Sequence, residues 1–494
     1  MSEKYFEYIL IVIFGISMIL PLWQLHLHIR LKQLQKLVRL RVMKRQQKAE
    51  NNTFFSSVIL NKCCKILFYK SDKEARFALT NLIAGRIQKA SEYLTANYPI
   101  LSLLLDAHFN TLSAYKKLLK QKKTVIKDEE YCAYLPISAH ILFDNDTAHK
   151  TLAKINPQKL KKATKAYYDY CIAAAYLFDG DMLSASQKAS SALKYFQKQK
   201  FSYESSQCYL LLGEIYRLSC VNDVAQTMIE AAVKINKEQK MPQFTAKSTA
   251  ALGMLMLFEN RYEEAEAKFD EAAKLSVSKN LRADIHNQKA LLYIAQNKLS
   301  EAKTEVKKAT AVFESTKNNH GKAFALQLEA QINFSLKQFG KALKATEKAT
   351  LIYERNHNIS AVLECMYLSA DILFRQNKTA KAEELLRQII EKDKKHRHNF
   401  HIANAYSLLG LIYLRKKDLQ RAKVLLQQSL HLEQRHHRCE GLVSDYTNLA
   451  LIENLSGNHN IAKENLQTAL EYAEQTGNTE LLELIKNKYS AYQE

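Results

Sequence analysis

The sequence predicts an all-α protein, a solenoid of stacked helical hairpins behind an N-terminal transmembrane helix. Three observations predict it. A small residue returns about every 40 residues through the C-terminal two thirds of the chain. Only 11 Gly and 5 Pro punctuate 494 residues, whereas a β-sandwich or barrel needs a turn about every 8–12 residues. Residues 8–25 carry no charged side chain and are mostly apolar.

The N-terminal element is predicted over 1–28. Its apolar run of 18 residues, Tyr8 to Leu25, is long enough to cross a thin bilayer core. Tyr5, Tyr8 and Trp23 flank it as interfacial aromatics do. A cleaved signal peptide would need a basic leader and a small-x-small site; Glu3 and Glu7 stand in the leader, and Leu20-Pro21-Leu22-Trp23 offers no such site. Residues 29–52 then read as a basic juxtamembrane helix. Arg30, Lys32, Lys36, Arg39, Arg41, Lys44, Arg45 and Lys48 all precede the next acid, Glu50. Such an excess marks the cytoplasmic flank of a span. The expectation is a single-pass inner-membrane protein with its N-terminus outside and its solenoid in the cytoplasm, these eight side chains facing anionic lipid.

The charge distribution agrees. The formal net charge is +22, but residues 1–165 hold 28 basic and 12 acidic side chains while the rest of the chain is close to balanced. A nucleic-acid binder would carry a basic stripe along its folded surface, so no nucleic-acid partner is expected. The eight cysteines form no C-x-x-C pair and read as free thiols on apolar helix faces.

Residues 53–165 read as degenerate helical repeats joining anchor to solenoid, with a solvated basic run from Lys116 to Lys127. From 166 to 475 the self-comparison gives about eight repeats. A Gly/Ala slot falls at 173, 213, 253, 290, 330, 370, 410 and 450. Twelve residues after each slot stands Ala, without exception. Seven further on are Ala192, Ala232, Ala272, Ala309, Ala349, Ile389, Ser429 and Ala469. A large residue usually follows the slot by three, a column broken by Asn333 and Glu453. Small residues on two helices let them approach closely, and polar pairs such as Asn260-Arg261 and Asn297-Lys298 mark the turn between. Residues 476–494 are expected to form a capping helix.

These columns resemble the tetratricopeptide repeat: Tyr209-x-x-Leu212-Gly213-x-x-Tyr216 followed by Ala225 and Ala232, and Tyr406-x-x-Leu409-Gly410-x-x-Tyr413 followed by Ala422. The period is longer than that family's 34, and its closing Pro is absent. The resemblance implies a right-handed superhelix whose first helices line a concave, partner-binding groove. Carried over by position, that groove comprises Tyr167, Tyr170, Phe178, Gln207, Glu214, Arg217, Met254, Phe258, Asn287, Gln327, Gln331, Phe334, Tyr367, Asp371, Arg375, Asn404 and Arg415. Aromatic anchors with amide and charged groups suit a protein or peptide ligand.

No Gly-rich phosphate loop, HExxH or Ca²⁺-loop motif occurs, and no nucleophile–base pair stands out, so neither catalysis nor a cofactor is expected. His396, His398, His401, His431, His436 and His437 are read as a solvated basic edge rather than a metal site, because Arg397, Arg435 and Arg438 are interleaved. The expected function is a membrane-anchored scaffold, with a peptide-responsive regulatory sensor as the alternative. The layout of one span, basic residues and repeats is also similar to bacterial envelope assembly and quality-control factors, though this chain lacks the four-cysteine module of the lipopolysaccharide assembly family.

Overall fold

The structure is a computed structural model. It describes residues 162–491 apart from 240–241, 277–278, 317, 356–357, 397–399, 437 and 477–478, together with scattered residues between 73 and 160. The expected membrane anchor, the basic juxtamembrane helix and most of region 53–165 lie outside the described residues. Among the described residues no helix is long and apolar enough to cross a membrane.

From residue 162 the chain forms eight antiparallel hairpins and a final helix. They are α1 (Lys162–Asp179) with α2 (Met182–Lys198), α3 (Ser202–Leu218) with α4 (Asn222–Glu238), and α5 (Pro242–Phe258) with α6 (Tyr262–Leu275). Next come α7 (Lys279–Ala295) with α8 (Leu299–Ser315), α9 (Asn319–Ser335) with α10 (Phe339–Arg355), and α11 (Ile359–Arg375) with α12 (Thr379–His396). The last are α13 (Phe400–Arg415) with α14 (Leu419–His436), α15 (Cys439–Leu455) with α16 (His459–Thr476), and α17 (Thr479–Ala491). Most helices run 17 residues, and short connectors complete the 40-residue period. The single 37-residue interval has a simple cause: α6 has 14 residues, nearly one helical turn fewer.

The alanine columns are the contact surface. Ala185, Ala225, Ala265, Ala302, Ala342, Ala382, Ala422 and Ala462 are all fully buried, and so are Ile389 and Ser429 in the next column. Where the slot is Gly, the partner helix presents something large. A Cβ on Gly213 would stand 2.6 Å from Ile229, one on Gly253 2.8 Å from Phe269, and one on Gly410 2.7 Å from Leu426. Glycine is needed at these three positions to seat a bulky side chain at close helix approach.

Every hairpin turns in the same way. Gly180, Cys220, Asn260, Asn297, Lys337, Asn377, Lys417 and Gly457 each have positive φ. The following N–H reaches back to the carbonyl three residues past the small slot, as in Val221 to Tyr216 (2.9 Å), Lys298 to Tyr293 (2.7 Å) and Asn458 to Glu453 (2.8 Å). This left-handed cap satisfies the last carbonyls of each first helix and fixes the reversal.

The large-residue column packs in cores shared with the following hairpin, Tyr293 with Leu328 and Tyr413 with Leu449, while its hydroxyls bond back to the preceding one. The Tyr293 hydroxyl donates to Glu266 at 2.5 Å, and the Tyr413 hydroxyl to Glu383 at 2.7 Å. The exception at Glu453 is buried and compensated, with Lys423 Nζ at 2.6 Å and Asn458 Nδ2 at 2.8 Å. Another buried column joins hairpin to hairpin. Asp393, fully buried, accepts the N–H groups of His401 (2.9 Å) and Ile402 (3.1 Å) at the start of α13, supplying two of that helix's orphan donors.

First helices pack against the first helices of neighbouring hairpins more extensively than second helices pack against second helices. The stack therefore curves with the first helices inside. Curvature carries it round on itself: Asn222 Nδ2, at the start of α4, donates to the Thr476 carbonyl at the end of α16 at 3.3 Å. Beyond the stack, Ala75 and Ala78 are buried in the same core as Ala173 and Ala185 at its first end. Ile485 of α17 closes the other end beside Ala469 and Ala473.

Candidate functional site: the inner wall of the solenoid

Because every first helix has the same orientation, one sequence column becomes one stripe on the inner wall. The stripe six residues before the small slot includes Lys247, Asp284 and Glu364, all exposed, and Asn404, half-buried. Lys247 and Asp284 stand on adjacent first helices and attract each other. Enclosure by the groove walls pushes the Asp284 carboxyl up to about 7, with Lys247 opposing the rise. The same enclosure lowers Lys247 and raises Glu364, where Gln327 Nε2 donates at 3.2 Å and partly offsets it. Gln327 is held from behind by the buried Tyr353 hydroxyl at 3.4 Å.

The next stripe, three residues later, holds Asn287, Gln327 and Tyr367. Asn287 is fully buried, and neither its Oδ1 nor its Nδ2 has a hydrogen-bond partner. An orphaned buried amide costs about 1–3 kcal/mol. Tyr367 is half-buried, and its hydroxyl is pushed up to about 12 by burial and by Asp371 and Asp445. Deeper in the same end, Ser407 Oγ donates to Asp445 Oδ1 at 2.7 Å. Burial pushes Asp445 up to about 6. Burial likewise pushes Glu433 up to about 7, although Arg438 Nη1 lies 3.2 Å from its Oε1. The absent Cβ of Gly441 leaves the room that the Glu433 carboxyl occupies.

The residues expected to line the groove divide into three groups. Tyr170, Gln207, Met254, Gln331, Tyr367, Asp371 and Asn404 are partly exposed on first helices, and Glu214 is exposed. Tyr167, Asn287 and Gln327 are buried, Tyr167 edge-on to Phe196 with ring centroids 5.5 Å apart. The third group forms a ladder of stacked cations near the hairpin turns. The Arg217 guanidinium lies 4.2 Å from the Phe258 ring centroid, Arg375 5.8 Å from Phe334, and Arg415 3.8 Å from Phe374. Arg217 also forms a two-point pair with Glu214 (2.9 and 2.7 Å), and Arg415 donates to the Phe374 carbonyl at 3.0 Å. These arginines bind one hairpin to its neighbour, each using part of its donor capacity internally. The Phe178 side chain lies outside the described residues.

Sequence reasoning did not assign Asp284, Glu364 or Asp445 to the wall. The column index alone contained the signal for the first two, since each falls 6 residues before its Gly/Ala slot. The histidine edge is corrected at one position: His401 is buried, its Nε2 3.1 Å from Ser360 Oγ. The side chains of His396, His398, His436 and His437 lie outside the described residues. Among the described residues, no group of three or more His, Cys, Asp or Glu could hold a metal ion. The thiol reading also changes at one position. Cys171, Cys208, Cys365 and Cys439 are buried thiols outside any disulfide, but Cys220 is partly exposed.

An all-helical array with one repeated turn, one repeated small-residue contact and an inner wall of first helices is a tetratricopeptide-type solenoid. Residues 171–401 match the family described as the MalT-like TPR region, and residues 403–436 match the family described as the tetratricopeptide repeat. No curated protein matches the chain. Among solved structures, the chain is similar to yeast Tom70 (13% identity, 94% of this chain and 96% of that one, TM-score 0.46). It is also similar to a Rap protein complexed with competence and sporulation factor (12% identity, 85% and 99%, TM-score 0.45). A third is the Rap conjugation gene regulator of plasmid pLS20 in complex with the Phr* peptide (12% identity, 74% and 96%, TM-score 0.43).

Proposed function

We propose that this protein is a non-catalytic scaffold that holds a peptide, or a peptide-like segment of a protein partner, along its inner wall. The observation that carries this reading is the wall itself. Exposed Lys247, Asp284 and Glu364 sit on rigid first helices, beside the partly exposed Tyr367 and Asn404. An extended peptide offers alternating N–H and C=O groups, the complement of the partly exposed Gln207, Gln331 and Asn404 amides on the same helices. A preorganised wall avoids most of the ordering cost of binding. The apolar run 8–25 and the basic stretch behind it support a tether to the inner membrane, with the solenoid on the cytoplasmic side.

Selection of a displayed peptide library on the full chain in detergent tests the groove. Selected peptides are expected to lose about tenfold or more in affinity on Tyr367→Ala, and nothing on Lys348→Ala of the outer helix α10. Asn287→Leu, which removes the orphaned buried amide, is expected to raise the thermal midpoint of the unliganded protein. Peptides indifferent to Tyr367 would contradict the reading. Protease treatment of intact spheroplasts tests the topology, with protection of the repeats expected.

The regulatory alternative gains support from the contact between α4 and α16. A ligand that changed curvature would open or close it, so small-angle scattering with and without selected peptides distinguishes a sensor from a passive scaffold.

A further inference from the structure

The curvature of the stack brings together two thiols that are far apart in sequence. Cys220 occupies the turn of the second hairpin, and Cys439 opens the first helix of the eighth. Both line one cavity of about 220 Å³ at the meeting of these hairpins, with Arg217, Asn222, Arg438 and Thr476 around them. The two thiols stand near enough to perturb each other's ionisation, Cys439 Sγ lies 3.8 Å from Gln475 Oε1, and the Asn222–Thr476 bond of 3.3 Å crosses the same seam.

Two features set the pair apart. At the equivalent turn position, every other hairpin has Gly, Asn or Lys, whereas Cys220 has φ of 57°, a conformation that local energetics do not favour for cysteine. The two thiols also differ. Cys439 is 4% exposed, whereas Cys220 is partly open to solvent. The neighbouring Cys439 and the Arg217 guanidinium hold the Cys220 thiol below its ordinary range, and Cys220 and burial push Cys439 up. An accessible low-pKa thiol beside a second cysteine is the arrangement that reacts with peroxides.

We infer that Cys220 and Cys439 form a peroxide-reactive dithiol whose oxidation cross-links the second and eighth hairpins. The Cys220 thiolate attacks one peroxide oxygen and becomes a sulfenic acid, and the departing hydroxide takes a proton to leave as water. The Cys439 sulfur then attacks the sulfenic sulfur, the S–O bond breaks, and a second water leaves after protonation. The two thiols lose two electrons and two protons, and one hydrogen peroxide is reduced to two waters. The resulting disulfide closes the ring covalently, so oxidation holds the inner wall at one curvature.

Hydrogen peroxide treatment of the full chain carrying Cys63→Ser, Cys64→Ser and Cys132→Ser tests this. The expected product has lost two hydrogens, gives a Cys220–Cys439 linked peptide pair on non-reducing digestion, and reverts with a dithiol reductant. Cys220→Ser or Cys439→Ser in that background should abolish the linked pair, and Cys439→Ser should leave Cys220 trapped as its sulfenic acid. Over-oxidation of Cys220 with no linked pair, or linkage of either cysteine to Cys171, Cys208 or Cys365, would overturn the assignment. Because the linked pair is mapped without altering either thiol of the proposed bond, a folding defect in a single variant does not affect the result.

Discussion

At the scale of single residues, the protein depends on side chains that are small or unpaired. Gly253 admits the Phe269 ring, which would stand 2.8 Å from an added Cβ. Gly253→Ala is expected to cost about 1–3 kcal/mol through overpacking. Adding Phe269→Leu to that variant should recover part of the loss, a non-additivity that a double-mutant cycle of chemical unfolding reads directly. Glu433 gives a pH signature. Its carboxyl is pushed up to about 7 by burial, above its unfolded value. The folded state thus binds a proton that the unfolded state has released, and stability falls as pH rises from about 4.5 through 7. Glu433→Gln should remove a loss on the order of 3 kcal/mol between pH 5 and 9 and flatten the pH dependence of the thermal midpoint. An unchanged dependence would place the titration elsewhere, at Asp284 or Asp445.

At the scale of elements, the hairpin is one device used eight times. Its turn needs a left-handed residue, and three different side chains supply it at a local cost. Lys417 has φ of 62°, so Lys417→Gly is expected to stabilise by about 1 kcal/mol, measured as a raised unfolding midpoint. The elements were legible in sequence because close packing leaves a periodic trace: Ala in every repeat twelve residues after the slot is the contact between helices. Less legible was what repeats do for one another. Arg217, Arg375 and Arg415 have the composition of a binding surface, yet they stack on Phe258, Phe334 and Phe374 of adjacent hairpins. Charge and aromaticity name the residue types; only the superhelical offset decides whether they face a ligand or each other. His401 illustrates the same limit, since its burial depends on Ser360 one repeat earlier.

At the scale of the whole molecule, curvature is the property no local pattern encodes. It accumulates from hairpin to hairpin through the closer packing of first helices, and it brings Asn222 to Thr476 across 254 residues. That curvature turns scattered polar residues into one wall and two distant cysteines into neighbours. A site-specific photo-crosslinker tests the central claim most directly. With benzophenone-bearing phenylalanine replacing Tyr367 on the inner wall, or Glu384 on the outer helix α12, a selected peptide should be captured after irradiation at position 367 and not at 384. Capture at 384 with none at 367 would contradict a peptide-binding inner wall.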